Sequence, residues 1–293
     1  MGQKFWGPVS PTHLAIVPDG REILKERNIM KRLALPIVAV LFYVLFGALN
    51  AQAGQYNSNL HTPDGRGPFP VVILSHGRGG MKPAYDSWAE KIVSWGFAAL
   101  IVDHYFNRGF GFGKGYPRPS ESVDIRKEDL VSALKEIKSN KKLDNSRITL
   151  AGWSAGAGLV LSGIIDDGLR KKAGLENPIK AAVLFYPHSW ACSPWSNYPD
   201  GPANSDLLIL YGSNDGGLTC WKDRALKIRS KMYSHIFKIY EGAYHVFDFP
   251  NASNKKCRTI RGRPPYELCL LYDDEAHQKS IADLKAFLMR YAC

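Results

Sequence analysis

Short, almost wholly apolar runs recur along the chain, each followed by a polar segment or one with helical spacing. Pro70–Ser75, Phe97–Val102, the stretch through Ile148, Leu150 and Ala151, Ala181–Tyr186, Leu207–Tyr211 and Phe237–Tyr240 predict strands buried on both faces. Between them, 3.6-residue spacing predicts helices. Tyr85–Ser94 carries Trp88, Ile92 and Val93 on one face and stops at Gly96. Val123–Ile137, a segment from Ser154 to about Asp167, Ala225–Met232 and Ala276–Tyr291 complete the set. Strands alternating with helices predict an α/β fold, a mainly parallel sheet with helices on both faces. The long loop Asp103–Ser120 is rich in glycine, proline and aromatics (Tyr105, Phe106, Phe110, Phe112, Tyr116), and is expected to form part of a binding-site wall.

The N-terminal part has another pattern. Met30-Lys31-Arg32 precedes an apolar run, Leu33–Leu49, that ends in Asn50-Ala51-Gln52-Ala53. A basic start, an apolar middle and an A-x-A exit have the layout of a secretory signal peptide, with cleavage expected after Ala53; an uncleaved anchor is the alternative. Residues 1–29 then become an upstream extension or a mis-assigned start, 30–53 the signal peptide, and 54–293 one exported domain, periplasmic or secreted. Its length suits a fold without a large lid domain, and cleavage leaves no stable membrane association. All five cysteines lie in that domain. Export predicts that an even subset of them is oxidised; the sequence does not fix the connectivity, and the most local pairing is Cys257 with Cys269 across RTIRGRPPYEL, with Cys192 and Cys220 as the natural second and Cys293 left over. No cysteine shows metal-ligand spacing, and neither metal nor cofactor is expected. The formal net charge of +11 is dispersed, with small clusters at Arg170–Lys172 and Lys255–Lys256. With no nucleic-acid motif beside it, this basic balance predicts a solvated surface and no nucleic-acid partner.

The candidate chemistry centres on RITLAGWSAGAG, Arg147–Gly158. A strand runs into Gly152-Trp153-Ser154-Ala155-Gly156, and small residues open a helix behind it. A serine on so sharp a turn stands clear of the sheet, while the amide after it can face a developing oxyanion. The glycines are required where strand and helix backbones pass closely. A serine hydroxyl also needs a base, and the base an orienting group. In the strand-turn-helix arrangement these follow in the order serine, acid, histidine, each after a strand. Of the later histidines, His188 precedes every plausible acid, His235 lies before the last strand, and His277 starts the terminal helix, which assigns it to the surface. His245, in the turn after Phe237–Tyr240, satisfies order and position. Asp215, just past Leu207–Tyr211, is the acid that fits, against Asp166, Asp167, Asp200, Asp206 and Asp223; Asp248 is the alternative should Asp215 only serve its turn.

The segments SHGRGG, GFAALIVDHYFNRG, AGWSAGAG, AVLFYPHSWAC, LLILYGSNDG and IYEGAYHVFDFP, spread over most of Pro70–Leu288, resemble the dienelactone hydrolases of the α/β-hydrolase fold, particularly their exported, serine-bearing members. The resemblance implies Ser154 as nucleophile, Asp215 as orienting acid, His245 as base, and the Arg78 and Ala155 amides as oxyanion donors. Two departures stand out. A serine occupies the position of the cysteine in the name-giving enzymes, which leaves the substrate open. Gly216-Gly217 follow the acid where many members carry bulkier residues, which predicts a more open pocket edge. The expected function is an exported serine hydrolase of small-molecule carboxylic esters or lactones; the alternatives are an acyltransferase with the same triad and a non-catalytic envelope binding protein. Arg78, Arg108, Lys114 and Arg118 either point to solvent or form a basic rim that would attract carboxylate-bearing substrates.

Overall fold

The computed structural model describes residues 56–111, 113–188, 205–222, 235–260 and 265–292. The expectations for residues 1–53, for the Ala225–Met232 helix and for Phe112, Cys192 and Cys293 lie outside these residues.

Seven strands form the main sheet: β1 (Ser58–His61), β2 (Phe69–Ser75), β3 (Ala98–Val102), β4 (Leu143–Trp153), β5 (Ala181–Phe185), β6 (Asp206–Gly212) and β7 (His235–Tyr240). Their order is β1-β3-β2-β4-β5-β6-β7, parallel throughout except that β1 runs antiparallel to β3. Every residue of β3 and β5 is buried. Since alternate side chains of a strand face opposite ways, both faces of the sheet are covered, as the apolar runs predict. The helices are α1 (Pro83–Ser94), α2 (Pro119–Ser139), α3 (Ala155–Ile165), α4 (Asp167–Lys172) and α5 (Asp274–Leu288). Two of them start earlier than their apolar spacing suggests, because Pro83 and Pro119 occupy the first turn, where a missing N–H breaks no bond. The Asp273 carboxylate caps α5, accepting from the Ala276 N–H at 2.9 Å.

Two elements have no apolar signature. β1 is a short polar edge strand, and β8 (Lys256–Ile260) with β9 (Tyr266–Leu270) forms a separate, largely exposed antiparallel hairpin. Cys257 faces Cys269 across that hairpin and the two are disulfide-bonded, the pairing expected from the sequence. Cys220 is also disulfide-bonded. His235 is the first residue of β7 rather than a residue before it.

A buried polar cluster sits at the ends of β2 and β3. The His76 Nδ1–H donates to Gly77 O at 2.7 Å, and Nε2 accepts from the His104 N–H at 3.0 Å. His104 in turn lies 2.9 Å from Ser75 Oγ through Nε2 and 2.8 Å from Asp129 Oδ2 through Nδ1. Arg108 grips the same carboxylate with two bonds of 2.9 and 2.8 Å. Burial holds His76 and His104 below the usual histidine range; His188 is lowered to about 4, first by burial and then by the charge of His245, and His277 is lowered by burial. Burial also raises the Asp129 carboxyl, to about 6, and that of Asp248.

The unfolded chain takes up protons on histidine near pH ~6.5, whereas these four folded side chains do so only at lower pH. Stability should therefore fall as the pH drops from 7.5 to 6, by up to about 1.4 kcal/mol per pH unit for each histidine. The two raised carboxyls bind protons more readily in the folded state and should flatten the loss below pH ~6. Calorimetry across this range checks the sign, and a Tm that climbs as the pH falls from 7.5 to 6 would contradict four neutral histidines.

Candidate active site

The turn between β4 and α3 places Ser154 at φ 52° and ψ −112°, a left-handed conformation that costs a non-glycine residue on the order of 1–3 kcal/mol. Its backbone is secured by Ser154 N–H donating to Phe185 O at 2.9 Å, and by Ser154 O accepting from the Ala157 and His188 amides. Ser154 and Ala155 are half-buried, while Gly152, Trp153 and Gly156 on either side are buried.

Asp215 lies three residues beyond β6. Its Oδ1 accepts from the Gly217 N–H at 2.9 Å, and its Oδ2 lies 2.5 Å from His245 Nδ1. His245 lies five residues beyond β7, and its Nε2 is 3.0 Å from Ser154 Oγ. An ionised Asp215 fixes the tautomer: Nδ1–H donates to the carboxylate, and Nε2 is left to accept the serine proton. The hairpin supports the imidazole, because His245 N–H donates to Cys269 O and His245 O accepts from Leu271 N–H, both at 3.1 Å. The Tyr186 ring packs on the imidazole at 4.5 Å between centroids. Ser154, Asp215 and His245 thus come together, and Ser154 and His245 line a cavity of about 800 Å³, with Asp215 buried behind the imidazole.

The two expected oxyanion donors flank Ser154. Ala155 opens α3, where the first amides have no acceptor within the helix. The turn carrying Arg78 runs beside the serine: a Cβ on Gly77 would lie 3.4 Å from Ser154 Cβ. Arg78 and Ala155 also border a second, smaller cavity of about 60 Å³, which Arg126, Leu159 and His188 help to enclose.

Several expectations need correction. Asp248 is not an alternative partner for His245. It is buried, and its carboxylate accepts from Trp88 Nε1 (2.8 Å), Trp153 Nε1 (2.7 Å) and Tyr186 Oη (2.6 Å). His277 is not a surface residue: it is 8% exposed, packs against Trp88 and acts electrostatically on Asp248. Gly216 and Gly217 do not open the pocket edge. A Cβ on Gly216 would meet Glu267 O of β9 at 2.1 Å, and one on Gly217 would meet Tyr211 Oη at 2.7 Å, so these glycines admit the hairpin and a tyrosine. Of the proposed basic rim, Arg108 is bound to Asp129 and Arg118 pairs with Glu121 in solvent. Arg78 does line the large cavity, above the Tyr116 ring at 5.7 Å, and is joined there by Lys82 and Arg258. The aromatic loop contributes Tyr116 to that wall, whereas Phe106 is 70% exposed.

Sequence reasoning missed the place of Tyr186 against the imidazole, the structural role of Asp248 and the hairpin. Asp248 did leave a signal, a lone carboxylate among Val246, Phe247 and Phe249, which can be buried only if it finds donors. Among the described residues, one cluster has metal-ligand spacing, Cys257, Glu267 and Cys269, but its two sulfurs are joined to each other.

Comparison with known proteins bears on the family and the fold. A 121-residue stretch is 31% identical to the quorum-quenching protein AidA of Acinetobacter baumannii (strain MDR-ZJ06), covering 39% of each chain. A 118-residue stretch is 29% identical to the uncharacterized protein YcjY of Escherichia coli (strain K12), covering 40% of this chain and 38% of that one. The chain thus spans well under half the length of the curated relatives it matches. Among solved structures, the apo form of Thermogutta terrifontis esterase 2 superposes with a TM-score of 0.60 at 16% identity, covering 80% of this chain and 89% of that chain. The same esterase phosphorylated by paraoxon gives 0.60 at 16% identity over 80% and 88%. At such identity these structures speak for the fold alone. The family model described as "Dienelactone hydrolase family" matches residues 57–292. With that match over most of its length, the chain belongs to the dienelactone hydrolase family, and its fold is that of the α/β hydrolases.

Proposed function

We propose that the chain is an exported hydrolase of carboxylic esters or lactones that works through Ser154, Asp215 and His245 and an acyl-enzyme. The observation that carries this reading is the pair of contacts joining the three residues, 3.0 Å from Ser154 Oγ to His245 Nε2 and 2.5 Å from His245 Nδ1 to Asp215 Oδ2, at the wall of the large cavity. His245 Nε2 takes the serine proton as Oγ bonds to the carbonyl carbon, and the carbonyl electron pair moves onto oxygen. The Arg78 and Ala155 amides hold that oxyanion. As the tetrahedral adduct collapses, the leaving alkoxide takes the proton from Nε2. Water, deprotonated by His245, then attacks the acyl-enzyme, and the proton returns to Oγ.

Ser154→Ala should abolish nearly all turnover of a short ester in a folded protein. Asp215→Asn should lower kcat by about 10⁴-fold, the loss known for other triads, because the amide favours the wrong imidazole tautomer. Steady-state kinetics with a fluorophosphonate label mapped to Ser154 checks both, and a nearly silent Asp215→Asn would remove that residue from the triad. Acyl transfer would use the same intermediate, and product analysis with added alcohols or amines separates it from hydrolysis.

The cavity also bears on substrate charge. Arg78, Lys82 and Arg258 line it, and no aspartate or glutamate is among its described lining residues. Esters carrying a free carboxylate should therefore react roughly tenfold better in kcat/KM than matched neutral esters, with the advantage reduced by salt and by Arg258→Ala. Equal values for the pair at every ionic strength would sink the preference while leaving the triad untouched.

Export rests on the leader pattern and is supported by the Cys257–Cys269 disulfide. Protein recovered from the envelope should begin at Gly54, and mass spectrometry should find at most one free thiol. An N-terminus that retains Leu33–Leu49 would make the segment an anchor.

A further inference from the structure

The Arg78 amide belongs to the same peptide unit as Gly77 O, and three donors hold that oxygen, His76 Nδ1–H at 2.7 Å, Arg126 Nη2 at 3.3 Å and, within the turn itself, the Gly80 N–H at 3.3 Å. The preceding unit is held at both ends: Arg126 Nη1 donates to His76 O at 2.8 Å, and the Gly77 N–H donates to Tyr85 Oη at 2.8 Å. A peptide unit is planar, with its C=O and N–H pointing in opposite directions, so fixing the oxygens fixes where the amides aim. Donation to a carbonyl also polarises the unit and strengthens its N–H as a donor.

Arg126 is 2% exposed and makes no ion pair among the described residues. Its remaining bonds go to Ser75 Oγ (3.1 Å), Tyr105 Oη (3.2 Å) and, from Nε, Ser122 Oγ (3.2 Å), while the Tyr105 ring lies 5.3 Å away. Behind it stands a second Ser–His–Asp arrangement, Ser75 Oγ to His104 Nε2 at 2.9 Å and His104 Nδ1 to Asp129 Oδ2 at 2.8 Å. This one is no second nucleophile. All three residues are at most 1% exposed, and Ser75 Oγ already accepts from Arg126. Every hydrogen in the chain can be assigned: Asp129 accepts from His104 Nδ1–H, Nε2 accepts from Ser75 Oγ–H, and the serine lone pair receives Arg126. The neutral His76 that burial enforces has the one Nδ1–H needed for Gly77 O and an Nε2 free to accept.

We propose that Arg126 and His76 are positioning residues that aim and polarise the Arg78 amide toward the reaction's oxyanion, with the Ser75–His104–Asp129 relay holding Arg126 in place. The proposal rests on the serine-hydrolase reading above. One oxyanion donor is worth about 10²–10³ in kcat, which sets the expected size of the effect.

The test is Arg126→Ala, with active sites counted by fluorophosphonate labelling carried to completion. Labelling should remain stoichiometric, kcat per labelled site should fall about 10²-fold, and KM for a short ester should change little. A trifluoromethyl ketone, which adds Ser154 Oγ to form a tetrahedral oxyanion, should lose affinity by a similar factor. Guanidinium at low millimolar concentration, entering the small cavity that Arg126 borders, should restore part of the rate of Arg126→Ala. A purely structural role would lower the number of labelled sites and leave the rate per site alone. Wild-type kcat per site together with wild-type ketone affinity would overturn the proposal. Should Arg126→Ala fail to fold, Arg126→Lys gives the same comparison, since an ammonium keeps the charge but has no fork to span two carbonyls. Turnover surviving in Ser154→Ala would instead defeat the underlying reading, an outcome independent of Arg126.

Discussion

A Cβ on Gly156 would lie 2.1 Å from Ser75 O and 2.7 Å from His76 O, and one on Gly152 would lie 2.5 Å from the Gly156 backbone. No side chain fits in either place. That close approach lets the first turn of α3 rest directly on the end of β2, so the turn bearing Ser154 and the turn bearing Arg78 become neighbours. The left-handed backbone at Ser154 follows from the same contact, because the chain must reverse within one residue to leave the strand and enter a helix pressed against the sheet. Overpacking such a site costs on the order of 1–3 kcal/mol, comparable to the strain already stored in the turn.

Asp248 ties the other half of the site together. Its carboxylate joins Trp153 at the end of β4, Tyr186 after β5 and Trp88 on α1 to the loop that carries His245. Burying a carboxylate costs several kcal/mol, and each bond to a charged group returns roughly 1.5–3, so three such bonds are of the size needed to offset the burial. Tyr186 and Val246, like Ser154, have positive φ. The backbone is thus strained at three chain segments that meet around one imidazole.

Most of the sheet was legible because a strand buried on both faces has to be apolar throughout, and runs such as PVVILS and AAVLF have few other uses. The three site residues were legible for a different reason, since chain order and strand-end placement left one histidine and one aspartate that fitted both. Elements stabilised by other means were hidden. β1 needs only a neighbour's edge, and β8 and β9 are held by a disulfide and by contact with the Asp215 and His245 loops, so neither required apolar spacing. Arg126, within the expected Val123–Ile137 helix, gave no sign of a role, because its partners Ser75 and His76 are 51 and 50 residues away. Gly216 read as open space for the same reason, since the backbone that fills it comes from β9.

The two contacts that join Ser154, His245 and Asp215 bridge 91 and 30 residues, and they draw on the ends of β4, β6 and β7. Pairings so distant along the chain form late, after the loop entropy of a parallel sheet has been overcome. A half-folded chain therefore has a serine with no base beside it. Appearance of the proposed ester hydrolysis during refolding would mark the docking of the Asp215 and His245 loops against Ser154, which would make that reaction a clock for the completed sheet.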